Sequence, residues 1–276
     1  MNRCPITYEI VDASRYSKSG LKRFSTKLNE IADFPYSVTE QVHESSMRAS
    51  KISIQGVQPK LSARFNTQLK TFEVVDIKGR YILKPQNPAY PELPENEDVT
   101  MRMAKVAGLE VPFHGMVYCK DSSLTYFIQR FDRAPKGLKH QIEDFAQLAE
   151  LDRENKYRYS MEKVIDLLDY CTFPAMERLH LFKLTIFNFI VGNEDMHLKN
   201  FSIIRRKNKV TMAPAYDLLS TTLTYLSLGK NITDIEELAL PLAGKKKRLT
   251  RELLIIKLLI APQMGRANCL HLPMTS

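Results

Sequence analysis

The chain has 276 residues, with 40 Lys or Arg against 31 Asp or Glu and a formal charge of +9. That length allows one large domain or two lobes with ample apolar content for a core. The mean hydropathy of −0.27 and the lack of any apolar run of roughly 18–20 residues speak against a membrane-spanning helix; "LLIIKLLIA" is too short and carries Lys257.

Cys4, Cys119, Cys171 and Cys269 are scattered with no CxxC pair, so neither a zinc site nor a disulfide framework is indicated. The start, "MNRCPITYEIV", has no signal-peptide apolar core, and a reducing cytoplasm is the expected compartment, with no membrane contact. The positive charge suggests an anionic partner: nucleic acid, phosphates or an acidic protein. It concentrates only in "IIRRKNKV" and "AGKKKRLTRE", which read equally well as solvated loops.

In chain order, residues 1–50 are polar and irregular, with Ser-rich patches at "SRYSKSG" and "ESSMRASK". "KLSARF", "TFEVVDI" and "RYILKP" alternate as strands joined by short turns such as Lys78-Gly79. "PELPENEDVTMRMAKVAGLEVP" reads as a helix, with Pro94 in its first turn, Gly108 at its end and Val99, Met103 and Val106 on one face. Strand patterns follow at "FHGMVYC" and "LTYFIQRF". After Asp132 the spacing turns helical in "IEDFAQLAEL", "SMEKVIDLLDYC" and "PAMERLHLFKLTIFNFIVG", the last a core helix. A hairpin-like pair, "NFSIIRR" and "KVTMAPA", leads to "AYDLLS". A β-rich front half and a helical back half predict an α+β protein of two lobes, 1–132 and 133–276.

The polar run "GNEDMHLKNFSII" interrupts this apolar patterning. Asp195 and Asn200 stand five positions apart with Lys199 between them, and Asp217 follows 17 positions after Asn200. Kinase catalytic loops space a base Asp and a metal-binding Asn in this way, with a second metal-binding Asp downstream. A carboxylate orients the acceptor hydroxyl, an amide oxygen and a carboxylate suit Mg²⁺, and a Lys or His offsets charge on the moving phosphoryl group. Taken alone, D-x₄-N is an ordinary polar loop at a helix end. The front half adds "SIQGVQPKLS" before a strand, Lys84 at the end of "YILK", and Glu97 at a helix start, in the order a nucleotide kinase needs.

Together "SIQGVQPKLS", "YILKP", "ENEDVTMRMAKVAGLEVP", "YFIQRFDR", "EDFAQL", "GNEDMHLKNFSI" and "APAYDLLS" resemble the HipA-like serine/threonine kinases, toxins of bacterial toxin–antitoxin systems. Within that family the chain is similar to the short HipT form, because the stretch ahead of the phosphate loop is too short for the usual N-terminal subdomain. The resemblance implies a two-lobed protein-kinase-like fold, β-rich N-lobe and mainly helical C-lobe, using ATP and Mg²⁺.

It implies Asp195 as catalytic base, Asn200 and Asp217 as metal ligands, and His197 and Lys199 as supports for the γ-phosphate and the loop. It places Lys84 on the α/β-phosphates, paired with Glu97. Ser53, Ile54, Gln55, Gly56, Val57 and Lys60 would cover the phosphates, with Ser53 autophosphorylated. Gln129 to Phe131 would read adenine as the hinge, with Asp132 near the ribose. Gln55 stands where HipT-type relatives often carry a second serine.

Implied partners are a helix-turn-helix antitoxin of the HipB type, a small HipS-like protein resembling the missing subdomain, and a protein substrate; aminoacyl-tRNA synthetases are among the family's substrates. DNA is expected only through the antitoxin. The family continues into further C-terminal helices, whereas "PQMGRANCLHLPMTS" reads as a tail. Two competing readings stay open: a small-molecule phosphotransferase of the aminoglycoside-kinase type, and a non-catalytic member of a repressor complex.

Overall fold

The computed structural model describes residues 2–48, 58–134, 138–152, 154–233 and 235–260. The chain forms two compact units, Met1–Val99 with Pro112–Leu138, and Thr100–Val111 with Lys139–Ser276.

The first unit is built on a five-stranded antiparallel sheet of β3 (Leu61–Asn66), β4 (Thr71–Val74), β5 (Tyr81–Lys84), β6 (His114–Tyr118) and β7 (Leu124–Gln129), in the order β4-β3-β5-β7-β6. Thr125 to Ile128 are buried without alternation, as in a strand covered on both faces. Leu61, Ala63, Phe72, Leu83 and Phe127 make the core with the N-terminal stretch.

That stretch corrects the expectation of an irregular, polar beginning. It carries β1 (Asn2–Arg3), β2 (Ile10–Val11), α1 (Lys18–Lys22) and α2 (Val38–Arg48). Cys4, Ile6, Leu21, Leu28, Ile31 and Phe34 are buried in the core. Phe24 stacks on Phe65 at 4.4 Å and meets Phe113 edge-on at 5.1 Å. The same residues cover the open edge of β6: Met116 N–H donates to Pro5 O (3.1 Å), Phe34 N–H to Tyr118 O (2.8 Å) and Lys120 N–H to Phe34 O (3.0 Å). An uncovered edge strand invites pairing with other chains, and here the chain's own beginning closes it.

Helix α3 (Leu93–Val106) connects the units in sequence. The face that carries Val99, Met103 and Val106 is not the buried one. Val99, Met103 and Val106 are 37, 49 and 90% exposed, while Glu97 and Asp98 are fully buried, as are Met101 and Ala104. Buried charges persist only with partners, and both carboxylates have them: Glu97 holds Lys84, and Asp98 holds His114 Nδ1 at 2.9 Å.

The second unit is mainly helical. It contains α4 (Phe145–Leu148), α5 (Met161–Leu167), α6 (Pro174–Val191), α7 (Thr221–Ser227) and α8 (Arg251–Ile255), with a small sheet ordered β10-β9-β8. Strands β9 (Ser202–Arg206) and β10 (Lys209–Met212) are the expected hairpin; β8 (Gln141–Asp144) replaces the start of the helix that "IEDFAQLAEL" predicts. Its first half pairs with β9, and Asp144 then opens α4 with a capping box to Gln147. Ser160, Ser220 and Thr250 cap α5, α7 and α8 with their hydroxyls. α6 runs 18 residues from Pro174 in its first turn and buries Leu181, Leu184 and Phe187. Among the described residues no helix is long and apolar enough to cross a membrane.

Candidate functional site

In the first unit the site residues meet at the end of β5. Leu83 and Lys84 are both buried, and the register sets Lys84 opposite Tyr126 on β7, with its Nζ 5.9 Å from the tyrosine ring centroid. Lys84 Nζ donates to Glu97 Oε1 at 2.6 Å and to Oε2 at 2.9 Å, with side-chain exposures of 3 and 0%. Strand end and helix start thus place an ammonium and a carboxylate together, 13 residues apart in sequence.

The segment read as a hinge is engaged internally. Gln129 N–H donates to Phe113 O (2.7 Å) and Arg130 N–H to Arg80 O (2.8 Å). Asp132 is buried, and its carboxylate accepts from Arg130 Nε and Nη2, both at 2.9 Å, with Arg133 Nε at 3.5 Å. Phe131 is half-buried beside it. Lys60 N–H donates to Ser45 Oγ of α2 at 3.0 Å. Ser53, Ile54, Gln55, Gly56 and Val57 lie outside the described residues, as does the tail from Ala261 onward.

In the second unit α6 stops at Gly192, whose φ of +67° is the left-handed conformation that closes helices. A Cβ there would meet Thr222 Oγ1 at 2.3 Å and its Cβ at 2.9 Å, so space as well as backbone demands glycine. The start of α7 clamps the turn: Gly192 O accepts from Thr222 N–H (3.1 Å) and Thr221 Oγ1 (2.8 Å), while Glu194 N–H donates to Thr221 Oγ1 (3.0 Å). From below, buried Asn193 donates to Asn188 Oδ1 at 2.7 Å.

The loop that follows folds on itself. His197 N–H lies 2.9 Å from Asp195 O and 3.2 Å from Asn200 Oδ1, and Asn200 N–H donates to His197 O at 2.9 Å. Asp195 is exposed, and its Oδ1 accepts a short hydrogen bond from the Tyr157 hydroxyl. His197 is buried, with Nε2 2.7 Å from Lys156 Nζ and Nδ1 without a hydrogen-bond partner among the described residues. Burial holds its pKa below the ordinary imidazole value, against the opposing pull of the Asp195 and Asp217 carboxylates.

Lys199 Nζ donates to Asp144 Oδ2 at 3.0 Å, so α4's capping residue also fixes this lysine. Tyr216 ties the next segment down, donating to Lys199 O at 2.9 Å and lying 2.6 Å from Ser202 Oγ. Burial pushes its phenol well above the ordinary range. Asp217 follows with φ +55°, a left-handed conformation that Asp tolerates better than most residues.

The structure therefore assembles Asp195, His197, Lys199 and Asn200 in one loop with Asp217 near it, and pairs Lys84 with Glu97 in the other unit. Asn200 and Asp217 offer an amide oxygen and a carboxylate, the hard donors that Mg²⁺ takes while phosphates complete its shell. Among the described residues no cluster of three or more His, Cys, Asp or Glu forms a self-sufficient metal site. Sequence reasoning missed Lys156, Tyr157, Asp144 and Tyr216. For the last, adjacency to Asp217 in "AYD" was a usable signal; "NKYRY", between two helices, carried none.

Comparison with known proteins bears on the family and the fold. The HipA-like C-terminal domain matches residues 52–267. A protein of Haemophilus influenzae described as a candidate kinase is 30% identical over 247 residues, covering 85% of this chain and 70% of its own. The serine/threonine-protein kinase toxin HipA of Shewanella oneidensis is 27% identical over 190 residues, 62% of this chain and 43% of its own. The solved complex of Shewanella oneidensis HipA, HipB and operator DNA contains a chain that matches with a TM-score of 0.60 at 23% identity, over 85% of this chain and 63% of that one. This likeness carries the fold, a β-rich lobe followed by a mainly helical one. The chain spans from under half to about two thirds of these relatives' lengths. It belongs to the family of HipA-like C-terminal domains.

Proposed function

We propose that the chain is an ATP- and Mg²⁺-dependent serine/threonine protein kinase acting as the toxin of a toxin–antitoxin pair. The buried, two-pronged Lys84–Glu97 ion pair carries this reading. Such pairs are often no more stabilising than apolar residues of the same size, so an ammonium fixed there points to chemistry rather than to folding. In phosphoryl transfer that ammonium holds the α/β-phosphates.

Asp195, exposed at the tip of its loop, orients the acceptor hydroxyl and takes its proton. Asn200 and Asp217 hold Mg²⁺, which when bound neutralises charge on the phosphates. Lys199, already bound to Asp144, steadies the loop, and His197 supports it from a buried position. Gln129 and Phe131 face adenine as the hinge. Asp132, held by Arg130, shapes the ribose edge. Lys60 and the loop from Ser53 to Val57 cover the phosphates, with Ser53 the autophosphorylated residue.

The partners are an antitoxin of the HipB type, through which DNA is contacted, and a small HipS-like protein. The compartment is the cytoplasm. The substrate is a cellular protein, with the aminoacyl-tRNA synthetases one candidate class. Labelled ATP and Mg²⁺ incubated with the chain and a cell lysate test the reading, followed by mass spectrometry against an Asp195→Asn control. Phosphate is expected on a small set of serines or threonines. Failure to bind ATP and to label any protein rejects it.

A further inference from the structure

The chain between α4 and α5 is docked on the catalytic loop rather than lying loose beside it. Asp152 Oδ1 accepts from Asn155 N–H (2.9 Å) and Asn155 Nδ2 (2.7 Å), and Arg158 N–H closes the turn on Asn155 O (2.8 Å). Leu198 N–H donates to Lys156 O at 3.4 Å. The Tyr157 ring meets the His197 ring edge-on, with centroids 5.0 Å apart at 80°. Lys156 Nζ lies 4.8 Å from the Tyr157 ring centroid and 2.7 Å from His197 Nε2. These contacts deliver the Tyr157 hydroxyl to Asp195 Oδ1, to which it donates.

A hydroxyl donating to the catalytic carboxylate is the contact that an acceptor must make before phosphoryl transfer. Tyr157 is 40% exposed, and its partner carboxylate is exposed as well. We propose that Tyr157 is a phosphoacceptor for the chain's own catalytic loop, modified in cis. The proposal rests on Asp195 being the base.

In the step, Tyr157 Oη forms a bond to Pγ of ATP, the bond from Pγ to the bridging oxygen breaks, and ADP leaves. The phenolic proton passes to Asp195 and from there to water. Burial, with Asp195 beside it, raises the phenol's pKa, so Tyr157 keeps its proton until transfer. The phosphotyrosine formed carries a charge of about −1.5 to −2 and no hydroxyl donor, so it is repelled from Asp195 and drawn to cations such as Lys156. The modification thus clears the acceptor position for a protein substrate.

The test uses the full chain with ATP and Mg²⁺, with peptide mapping by mass spectrometry. Phosphate on the Tyr157 peptide is expected at least ~100-fold above an Asp195→Asn control, at a first-order rate independent of protein concentration. In a mixture with wild type, a mass-tagged Asp195→Asn chain is expected to stay unmodified at Tyr157. Phosphate found only on other residues, none at all while ATP binds, or transfer to the tagged chain overturns the proposal and leaves the nucleotide site standing. Absence of ATP binding removes the kinase reading and this one with it.

Discussion

Removing one side of the Lys84–Glu97 pair gives a measurable account of why it is there. Both side chains are almost wholly withdrawn from water, and two hydrogen bonds of 2.6 and 2.9 Å join them. Glu97→Leu takes away the carboxylate and leaves the ammonium in a site built to hold a charge pair. Such one-sided removal costs about 3–5 kcal/mol. At roughly 2–4 °C per kcal/mol for a chain of this size, the thermal midpoint is expected to fall by about 6–20 °C. Lys84→Met removes the ammonium instead and is expected to lose a similar amount. The double variant Lys84→Met/Glu97→Leu removes both charges at near-constant volume, and its midpoint is expected within about 1 kcal/mol of wild type or above it. Circular dichroism melts of the four proteins supply the cycle, and a fluorescent ATP analogue supplies a second readout. The double variant should recover stability without recovering nucleotide binding. Equal melts for Glu97→Leu and wild type, or a double variant below both singles, would refute the reasoning.

Asp195→Asn is expected to lower single-turnover phosphotransfer by at least ~100-fold, yet to shift the melt by no more than ~0.5 kcal/mol because the side chain is exposed. Gly192→Ala must adopt φ +67° and press a Cβ against Thr222, so a loss of roughly 2–4 kcal/mol is expected from strain and overpacking together, read as a lower denaturant midpoint. Glu40 accepts from Lys120 Nζ and from Ser37, and these contacts hold its carboxyl down to about 2. A depressed folded-state pKa gives stability that is present above about pH 4.5 and lost as pH falls through about 2. Melts of Glu40→Gln against wild type should therefore differ slightly near neutrality and converge below pH 2. Because both partners are exposed, the difference should also shrink in high salt.

Where side-chain periodicity and local chemistry agree, elements were readable ahead of the structure. α6 has proline in its first turn, apolar spacing along its length and glycine after it, and it runs as expected from Pro174 to Val191. The hairpin of β9 and β10, and the strands ending at Lys84 and Gln129, follow from alternation between turn residues. The polar loop was legible because the chain leaves a buried helix, passes through six polar residues and re-enters a strand within a few residues. Residues that act through position alone were not legible. Tyr157 reaches Asp195 across 38 positions, and no spacing rule connects them.

The remaining misreadings share a physical cause, which α3 shows plainly. A hydrophobic stripe predicts the buried side of a helix only while charges prefer water. In α3 Lys84 and His114 each bring a partner to a carboxylate, so Glu97 and Asp98 turn inward and Val99, Met103 and Val106 are left outside. The N-terminal stretch errs in the opposite sense. Ile6, Leu21, Leu28 and Phe34 are isolated among polar neighbours, so no period marks them, yet each fills the core under a sheet edge supplied by residues far along the chain. "IEDF" fails for lack of length: four residues of mild alternation suit a helix turn as well as a strand, and the pairing with Ser202–Arg206 decides. Partners remote in sequence overrule local pattern in all three. The inversion of α3 is the informative one, because a chain that buries two carboxylates on one helix has built a fixed place for the groups they hold, and one of those groups is the lysine on which the kinase reading depends.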